Sequence, residues 1–238
     1  MVQNLQKPPG DARPSVLLVD DEQPIRRVLR AQLTARGYRV DEAGNGEEAL
    51  DEAARRQPDV ILLDLGLPDI DGIEVTRLLR QRSEVPVIIL SVRAGESDKI
   101  AALEAGADDY LTKPCQTGEL LERIRSALLR KTITGLHTFQ AGDLAVDLER
   151  HAVQVGDRPI QLTPNEFELL RVLVLNAGRL LTPGRLTHEA WSEKQDEEAR
   201  QLLRTTIGSL RRKLEANPAR PRHITTEPGV GFRLRTEA

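Results

Sequence analysis

The run Val60-Ile61-Leu62-Leu63, which stops on Asp64, constrains this chain more than any other stretch. Four consecutive apolar residues predict a strand buried on both faces, as in a parallel sheet. The chain then turns through Leu65-Gly66-Leu67-Pro68-Asp69-Ile70-Asp71-Gly72. In open α/β sheets ligands bind outside the carboxyl ends of the strands, so Asp64 stands where a reacting group belongs. A lone Asp would serve equally well to start a turn. The neighbouring strands decide between the two.

Ser15-Val-Leu-Leu-Val19 is a second apolar run, and it too ends on acids, Asp20, Asp21 and Glu22. Helical spacing of Ile25, Val28, Leu29 and Leu33 predicts a helix over 23–36, with Gly37 just past its end. Strands at 38–42, 59–64, 86–91 and 108–112 then alternate with helices at 46–56, 71–81, 97–105 and 116–130. Five βα units predict an α/β domain, a doubly wound, five-stranded parallel sheet of flavodoxin-like order 2-1-3-4-5. That order brings Asp20, Asp21, Asp64, Ser91 and Lys113, all at carboxyl ends of strands, into one pocket. Three clustered carboxylates repel one another and need a cation. Hard oxygen ligands favour Mg²⁺, which keeps several waters and accepts a phosphate oxygen. Lys113 adds a point charge and Ser91 a hydroxyl, so an Asp among them is suited to accept a phosphoryl group.

Length, charge and cysteine content narrow the class. The 238 residues allow two cores, and no stretch approaches the ~18 apolar residues of a membrane span or opens on an apolar leader. Cys115, the single cysteine, excludes an internal disulfide framework and a Cys-built zinc site. These features predict a cytoplasmic protein with no membrane partner. Residues 14–130 carry 22 acidic against 16 basic side chains, and residues 138–238 carry 14 against 15. A basic cluster at Arg200, Arg204, Arg211, Arg212 and Lys213 marks the second half as the one to meet a polyanion.

Residues 1–13, with Pro8-Pro9-Gly10, have no period and read as a disordered lead-in; 131–137 read as a linker. Period-two alternation over Asp143–Leu148, His151–Val155 and Pro159–Leu162 predicts a small antiparallel sheet within 138–162. Thr163-Pro164 with Glu166 forms a capping-box signature opening a helix whose buried side is Phe167, Leu170, Leu173 and Val174. Thr182-Pro183 opens a second helix ending near Trp191. In a third, about 196–215, Leu203, Ile207, Leu210 and Leu214 share one arc. Gln201, Thr205, Gly208, Ser209 and Arg212 lie opposite, flanked by Arg204 and Arg211, a face suited to a major groove. Ile224–Leu234 reads as a hairpin turning through Pro228, Gly229 and Gly231.

Two other motifs fit less well. Gly44-Asn-Gly46-Glu-Glu-Ala49 matches a dinucleotide fingerprint, but it follows a short polar strand and its Glu47 and Glu48 would face the pyrophosphate. Asp69-Ile-Asp71 is similar to the paired aspartates of haloacid-dehalogenase-type phosphatases. Pro68 separates it from the strand, however, and Asp71 reads as a helix N-cap.

Asp20-Asp21, Asp64 within Leu-Leu-Asp-Leu-Gly-Leu-Pro-Asp-Ile-Asp-Gly, Ser91, Tyr110 and Lys113-Pro114 resemble the receiver domain of two-component response regulators over residues 14–130. Leu162-Thr-Pro-Asn-Glu-Phe-Glu-Leu-Leu170, Leu210-Arg-Arg-Lys-Leu-Glu215 and Thr226-Glu-Pro-Gly-Val-Gly-Phe-Arg233 resemble the α+β winged-helix effector domain of the OmpR/PhoB family over 138–238. Ser91-Val-Arg93 and Pro218-Ala-Arg-Pro-Arg222 are most similar to its potassium-responsive branch. The resemblance implies a phosphorylation-activated regulator that binds promoter DNA, rather than an enzyme. A sensor histidine kinase would phosphorylate Asp64, with Lys113 and Ser91 as catalytic partners. Mg²⁺ would bind Asp21, Asp64 and the Gly66 carbonyl, with Asp20 acting through water. Ser91 and Tyr110 would be the switch pair, and Lys113–Pro114 a cis bond. Lys99 with Glu119, Glu104 with Arg125 and Asp109 with Arg123 would pair across a homodimer axis. Arg200, Arg204, Thr205, Ser209, Arg211, Arg212, Thr226 and Arg233 would contact double-stranded DNA, with RNA polymerase a further partner.

Overall fold

The computed structural model describes residues 13–133, 138–191 and 197–236, and of 129–133 the backbone alone. Residues 1–12 of the expected lead-in, 134–137 of the expected linker and Ser192 lie outside the described residues. The chain divides into two compact units, residues 1–94 with 105–120 and residues 95–104 with 121–238.

Strands β1 (Ser15–Val19), β2 (Arg39–Ala43), β3 (Val60–Leu63), β4 (Val87–Ser91) and β5 (Asp109–Thr112) form one parallel sheet in the order β2-β1-β3-β4-β5. The order is the one predicted. Every residue of β1, β3 and β4 is buried, which is why these strands read as unbroken apolar runs. Edge strand β2 keeps Arg39, Asp41 and Glu42 only half-buried. Helices α1 (Gln23–Thr34), α2 (Gly46–Arg56), α3 (Gly72–Arg80), α4 (Glu96–Glu104) and α5 (Thr117–Ile133) follow the strands in turn. Helix α5 runs through residues 131–133, the first three residues of the expected linker. Leu128 and Lys131 continue a helical segment without a Gly or Pro until Gly135, and no breaker stops the helix at 130.

The C-terminal elements begin with an antiparallel sheet of β6 (Thr138–Ala141), β7 (Leu144–Asp147), β8 (Ala152–Val155) and β9 (Arg158–Ile160), paired in that order. Helices α6 (Pro164–Leu175), α7 (Pro183–Trp191) and α8 (Glu197–Leu214) follow, and then the hairpin β10 (Ile224–Glu227) and β11 (Gly231–Leu234). Gly231 is the first residue of β11 rather than part of the turn; a Cβ on it would collide with the Leu181 carbonyl. Phe139, Leu144 and Val146 from the sheet join Leu170, Leu203, Ile207 and Leu210 in one core. Helix α6 packs against both α7 and α8 and buries Leu169 and Val172 as well as the predicted Phe167, Leu170, Leu173 and Val174.

Two buried carboxylates fix α8. Glu166 completes the predicted capping box, accepting from the Thr163 amide at 2.7 Å. The same side chain accepts from Lys213 Nζ and Ser209 Oγ of α8, both at 2.6 Å. Just past the C-terminal end of α8, Glu215, 6% exposed, accepts the amides of Arg222, His223 and Ile224, and so fixes where the hairpin begins.

Burial alone would push the Glu166 carboxyl up, but the hydrogen bonds from Lys213, Ser209 and Thr163 outweigh it and bring it down to about 2, from 4.5. A depressed folded-state value means an increment of stability that is present above about 4.5 and lost as pH falls toward 2. Thermal melts of the protein from pH 5 to pH 2.5 are expected to lose that increment, and Glu166→Gln to flatten the same interval. An unchanged slope in the variant would contradict the assignment.

Candidate functional site

Strand register builds the pocket. Val19 of β1 lies opposite Leu63 of β3, and Leu63 opposite Ile89 of β4, while Ser91 lies opposite Thr112 of β5. Residues just past those positions therefore meet at one edge of the sheet. The ladder continues one step further, with the Asp64 amide donating to Val19 O at 2.9 Å and the Lys113 amide to Ser91 O at 2.8 Å.

Lys113 Nζ sits between two carboxylates, 2.6 Å from Asp20 Oδ2 and 2.6 Å from Asp64 Oδ2. Asp20 is 1% exposed and Asp64 6%. The second oxygen of Asp20 accepts the Glu22 amide at 2.9 Å, and that of Asp64 the amides of Leu65 at 2.7 Å and Gly66 at 3.4 Å. Asp21 is exposed, and a carboxylate oxygen from each of Asp20, Asp21 and Asp64 lies within 4.8 Å of the others. Burial opposes the charge on Lys113, but hydrogen bonds and attraction from Asp20 and Asp64 win and hold its pKa above the ordinary lysine value. The pocket therefore holds a fixed ammonium and a set of acceptor oxygens. Such a set is hard, all-oxygen and close-packed, and it fits Mg²⁺. The sequence-predicted Asp20, Asp21, Asp64 and Lys113 are brought together.

The β3–α3 loop is held from three sides. Asp69 accepts the amides of Gly46 and Glu47 at 2.8 and 2.9 Å, which lowers its pKa and caps α2. Asp71 is the predicted N-cap of α3, accepting from Ile73 at 2.9 Å. Gly72 follows because a Cβ there would strike the Asp64 carbonyl. Asp71 also meets Arg93 Nη1 at 2.9 Å, linking this loop to the one after β4. Sequence reasoning found no partner for Arg93, since Asp71 lies 22 residues away on a different loop.

Ser91 is 1% exposed, and its hydroxyl accepts the Arg93 amide at 3.3 Å. Tyr110 is buried, 7% exposed, and its hydroxyl donates to the Arg93 carbonyl. Both expected switch residues thus engage the same loop residue. The Lys113–Pro114 bond is cis, as expected. Of the six residues expected at a dimer face, Glu104, Glu119 and Arg125 are exposed and Lys99 and Arg123 half-buried. Asp109 is a correction: it is 4% exposed and accepts the Tyr110 amide at 2.8 Å, so it does not stand on an open surface. Its neighbour Asp108 is equally buried and binds Arg80 and the Val87 amide, both at 2.7 Å.

On α8 the predicted outer face divides. Arg200, Gln201, Arg204, Thr205 and Arg212 are exposed. Ser209, expected to read bases, instead donates to Glu166, because the helix turns it toward α6. Arg211 folds back onto the hairpin, donating to Ile224 O at 2.7 Å and Thr226 Oγ1 at 2.7 Å and lying 5.9 Å over the Phe232 ring. Thr226 remains exposed. Arg233 is corrected most clearly. It is 7% exposed and donates to Gly178 O at 2.6 Å, because alternation along β11 turns it inward.

Residues 16–125 match the model of the response regulator receiver domain, and residues 157–234 that of the transcriptional regulatory protein, C terminal. The chain is 52% identical over 222 residues to the KDP operon transcriptional regulatory protein KdpE of Escherichia coli (strain K12), covering 92% of this chain and 98% of that one. It is 44% identical over 222 residues to the transcriptional regulatory protein KdpE of Mycobacterium tuberculosis (strain ATCC 25618 / H37Rv), with the same coverage. The sensory transduction protein RegX3 of Mycolicibacterium smegmatis (strain ATCC 700084 / mc(2)155) is 40% identical over 225 residues, again covering 92% and 98%. With both domains matched in order and kinship across nearly its whole length, the chain belongs to the OmpR/PhoB family of response regulators, phosphorylation-activated transcriptional regulators, and is homologous to KdpE.

Proposed function

We propose that Asp64 is the phosphoryl acceptor of this regulator, in a receiver domain of residues 14–130 that controls a DNA-binding domain of residues 138–238. The observation that carries the reading is the Lys113 ammonium bridging the carboxylates of Asp20 and Asp64, with Asp21 alongside. An Asp64 oxygen attacks phosphorus, forming a P–O bond, while the P–N bond to the kinase histidine breaks and the leaving nitrogen takes the electron pair. With a small donor such as acetyl phosphate, the P–O bond to acetate breaks instead. Asp21, Asp64 and the Gly66 carbonyl, with Asp20 acting through water, would hold Mg²⁺, which would supply charge neutralisation for the transferring group.

The other groups act on the product. Lys113 exchanges its Asp64 contact for a phosphoryl oxygen, and the Ser91 hydroxyl donates to another. The added charge of about −1.5 to −2 gives the loop after β4 a new partner. Arg93 moves with that loop, so the Tyr110 hydroxyl and the Asp71 carboxylate register the change. Homodimerisation through Lys99, Glu104, Glu119, Arg123 and Arg125 follows, and the paired effector domains bind direct-repeat promoter DNA in the cytoplasm and engage RNA polymerase. Among the described residues, no helix is long and apolar enough to cross a membrane. Arg200, Arg204, Thr205, Arg212 and Thr226 remain the DNA-contact candidates, since all are exposed.

Acetyl phosphate with Mg²⁺ is expected to raise the dimer fraction in sedimentation and the affinity for promoter duplexes together. No change in either would contradict the proposal. Lys113→Met should lower the melting temperature without divalent ions, because removing one partner of a buried ion pair costs about 3–5 kcal/mol. Mg²⁺ should restore most of that loss. An equal deficit with and without Mg²⁺ would count against cation binding at this cluster.

A further inference from the structure

We infer that Gly208 is a specificity-determining position of the effector domain, a gap in α8 through which the edge of a DNA base pair approaches the helix backbone. The inference rests on the reading that the outer face of α8 meets DNA. Gly208 is the twelfth of 18 residues in α8, deep inside the helix. Glycine is the residue least suited to a helix interior after proline. The other glycines in the described helices open them: Gly46 and Gly72 are first residues, and Gly118 and Gly184 second ones. Among the described residues, only Gly208 breaks into the middle of a helix.

Nothing among the described residues calls for it. A Cβ on Gly208 would meet only Arg212 Nη1, at 3.8 Å, an ordinary contact with the movable tip of an exposed side chain. By contrast, a Cβ on Gly72 or Gly231 would strike backbone. The reason for a missing side chain at 208 therefore lies outside the folded chain. Its surroundings say what kind of object comes close. Arg204 and Arg212 stand one turn before and one turn after, both exposed, and exposed Thr205 lies on the same side. Among the described residues, Arg204 is engaged only by Glu197, in an exposed pair at 3.2 Å that costs little to break. Ser209 and Arg211, the neighbours that would otherwise fill the space, are turned toward Glu166 and the hairpin.

A bare patch of backbone flanked by cations fits a polyanion with a recessed floor. The major groove is about 12 Å wide, close to the 10–12 Å diameter of a helix with its side chains. A helix with no side chain at its central outward position can lie deeper, so that Arg204 and Arg212 reach the phosphates on either rim while Gly208 faces the bases. Phosphate contacts hold any sequence, whereas the close approach depends on which base edge lies opposite. Gly208 thereby contributes to selectivity without making a hydrogen bond of its own.

The full-length protein, treated with acetyl phosphate and Mg²⁺, would first be used to select duplexes from a random-sequence library. Affinities of the wild type, Gly208→Ala and Arg212→Ala would then be measured on the selected duplex and on a scrambled one. Gly208→Ala is expected to raise the melting temperature by about 1–4 °C, since it removes a helix-interior glycine without a clash. It should weaken binding to the selected duplex by about tenfold or more, while the scrambled duplex changes by less than about twofold. Arg212→Ala should weaken both. Gly208→Ala binding the selected duplex as tightly as wild type, or losing both duplexes equally, would overturn the inference. If Arg212→Ala also left both affinities unchanged, or the wild type selected no duplex, the reading of α8 as the DNA-facing helix would fail with it.

Discussion

The structure around Asp64 depends on one ammonium group. Lys113 Nζ, 9% exposed at its side chain, stands 2.6 Å from each of two nearly buried carboxylates that would otherwise face one another. Taking three charged groups out of water is costly, and their attraction repays it only where geometry and further hydrogen bonds are good. Both conditions hold here, since the second oxygens of Asp20 and Asp64 accept backbone amides. The arrangement is electrostatically poised. A phosphoryl group added at Asp64 would bring more negative charge to a cation already in place, so the proposed response would require rearrangement of partners rather than creation of a site.

That poise is useful only because the surrounding loops are fixed. Asp69 ties the β3–α3 loop to the start of α2, Asp71 opens α3, and Gly72 lets that helix begin against the Asp64 carbonyl. Arg93 joins this loop to the segment after β4 through Asp71, and its amide and carbonyl serve Ser91 and Tyr110. An exposed ion pair such as Arg93–Asp71 contributes only about 0–1 kcal/mol. It is weak enough for the charge of a phosphoryl group to overcome. In the C-terminal elements the analogous rigid joints are Glu166, which ties the last turns of α8 to the start of α6, and Glu215, which ties the end of α8 to the start of the hairpin.

Much of this was legible in the sequence, for a physical reason. Strands buried on both faces write themselves as apolar runs, and a polar residue ending such a run is conspicuous, which is how Asp20 and Asp64 stand out. Capping signatures at Thr163 and Asp71 were equally local. What escaped depended on partners far along the chain. Ser209, Arg211 and Arg233 look like DNA ligands by residue type, yet each engages a group 13 to 55 residues away. Asp108 is buried with its carboxylate on Arg80, 28 residues away, and nothing in its immediate neighbourhood announces this. Helical periodicity identifies a face, but it cannot say which polar members of that face the protein keeps for itself.

The central claim, that Asp64 alone among the clustered acids takes the phosphoryl group, is tested most directly by peptide-resolved mass spectrometry after incubation with acetyl phosphate and Mg²⁺. The account predicts one added phosphoryl group per chain, confined to the peptide containing Asp64 and absent from Asp64→Asn. A modification that persists in Asp64→Asn, or that maps to Asp20 or Asp21 in the unaltered protein, would contradict it.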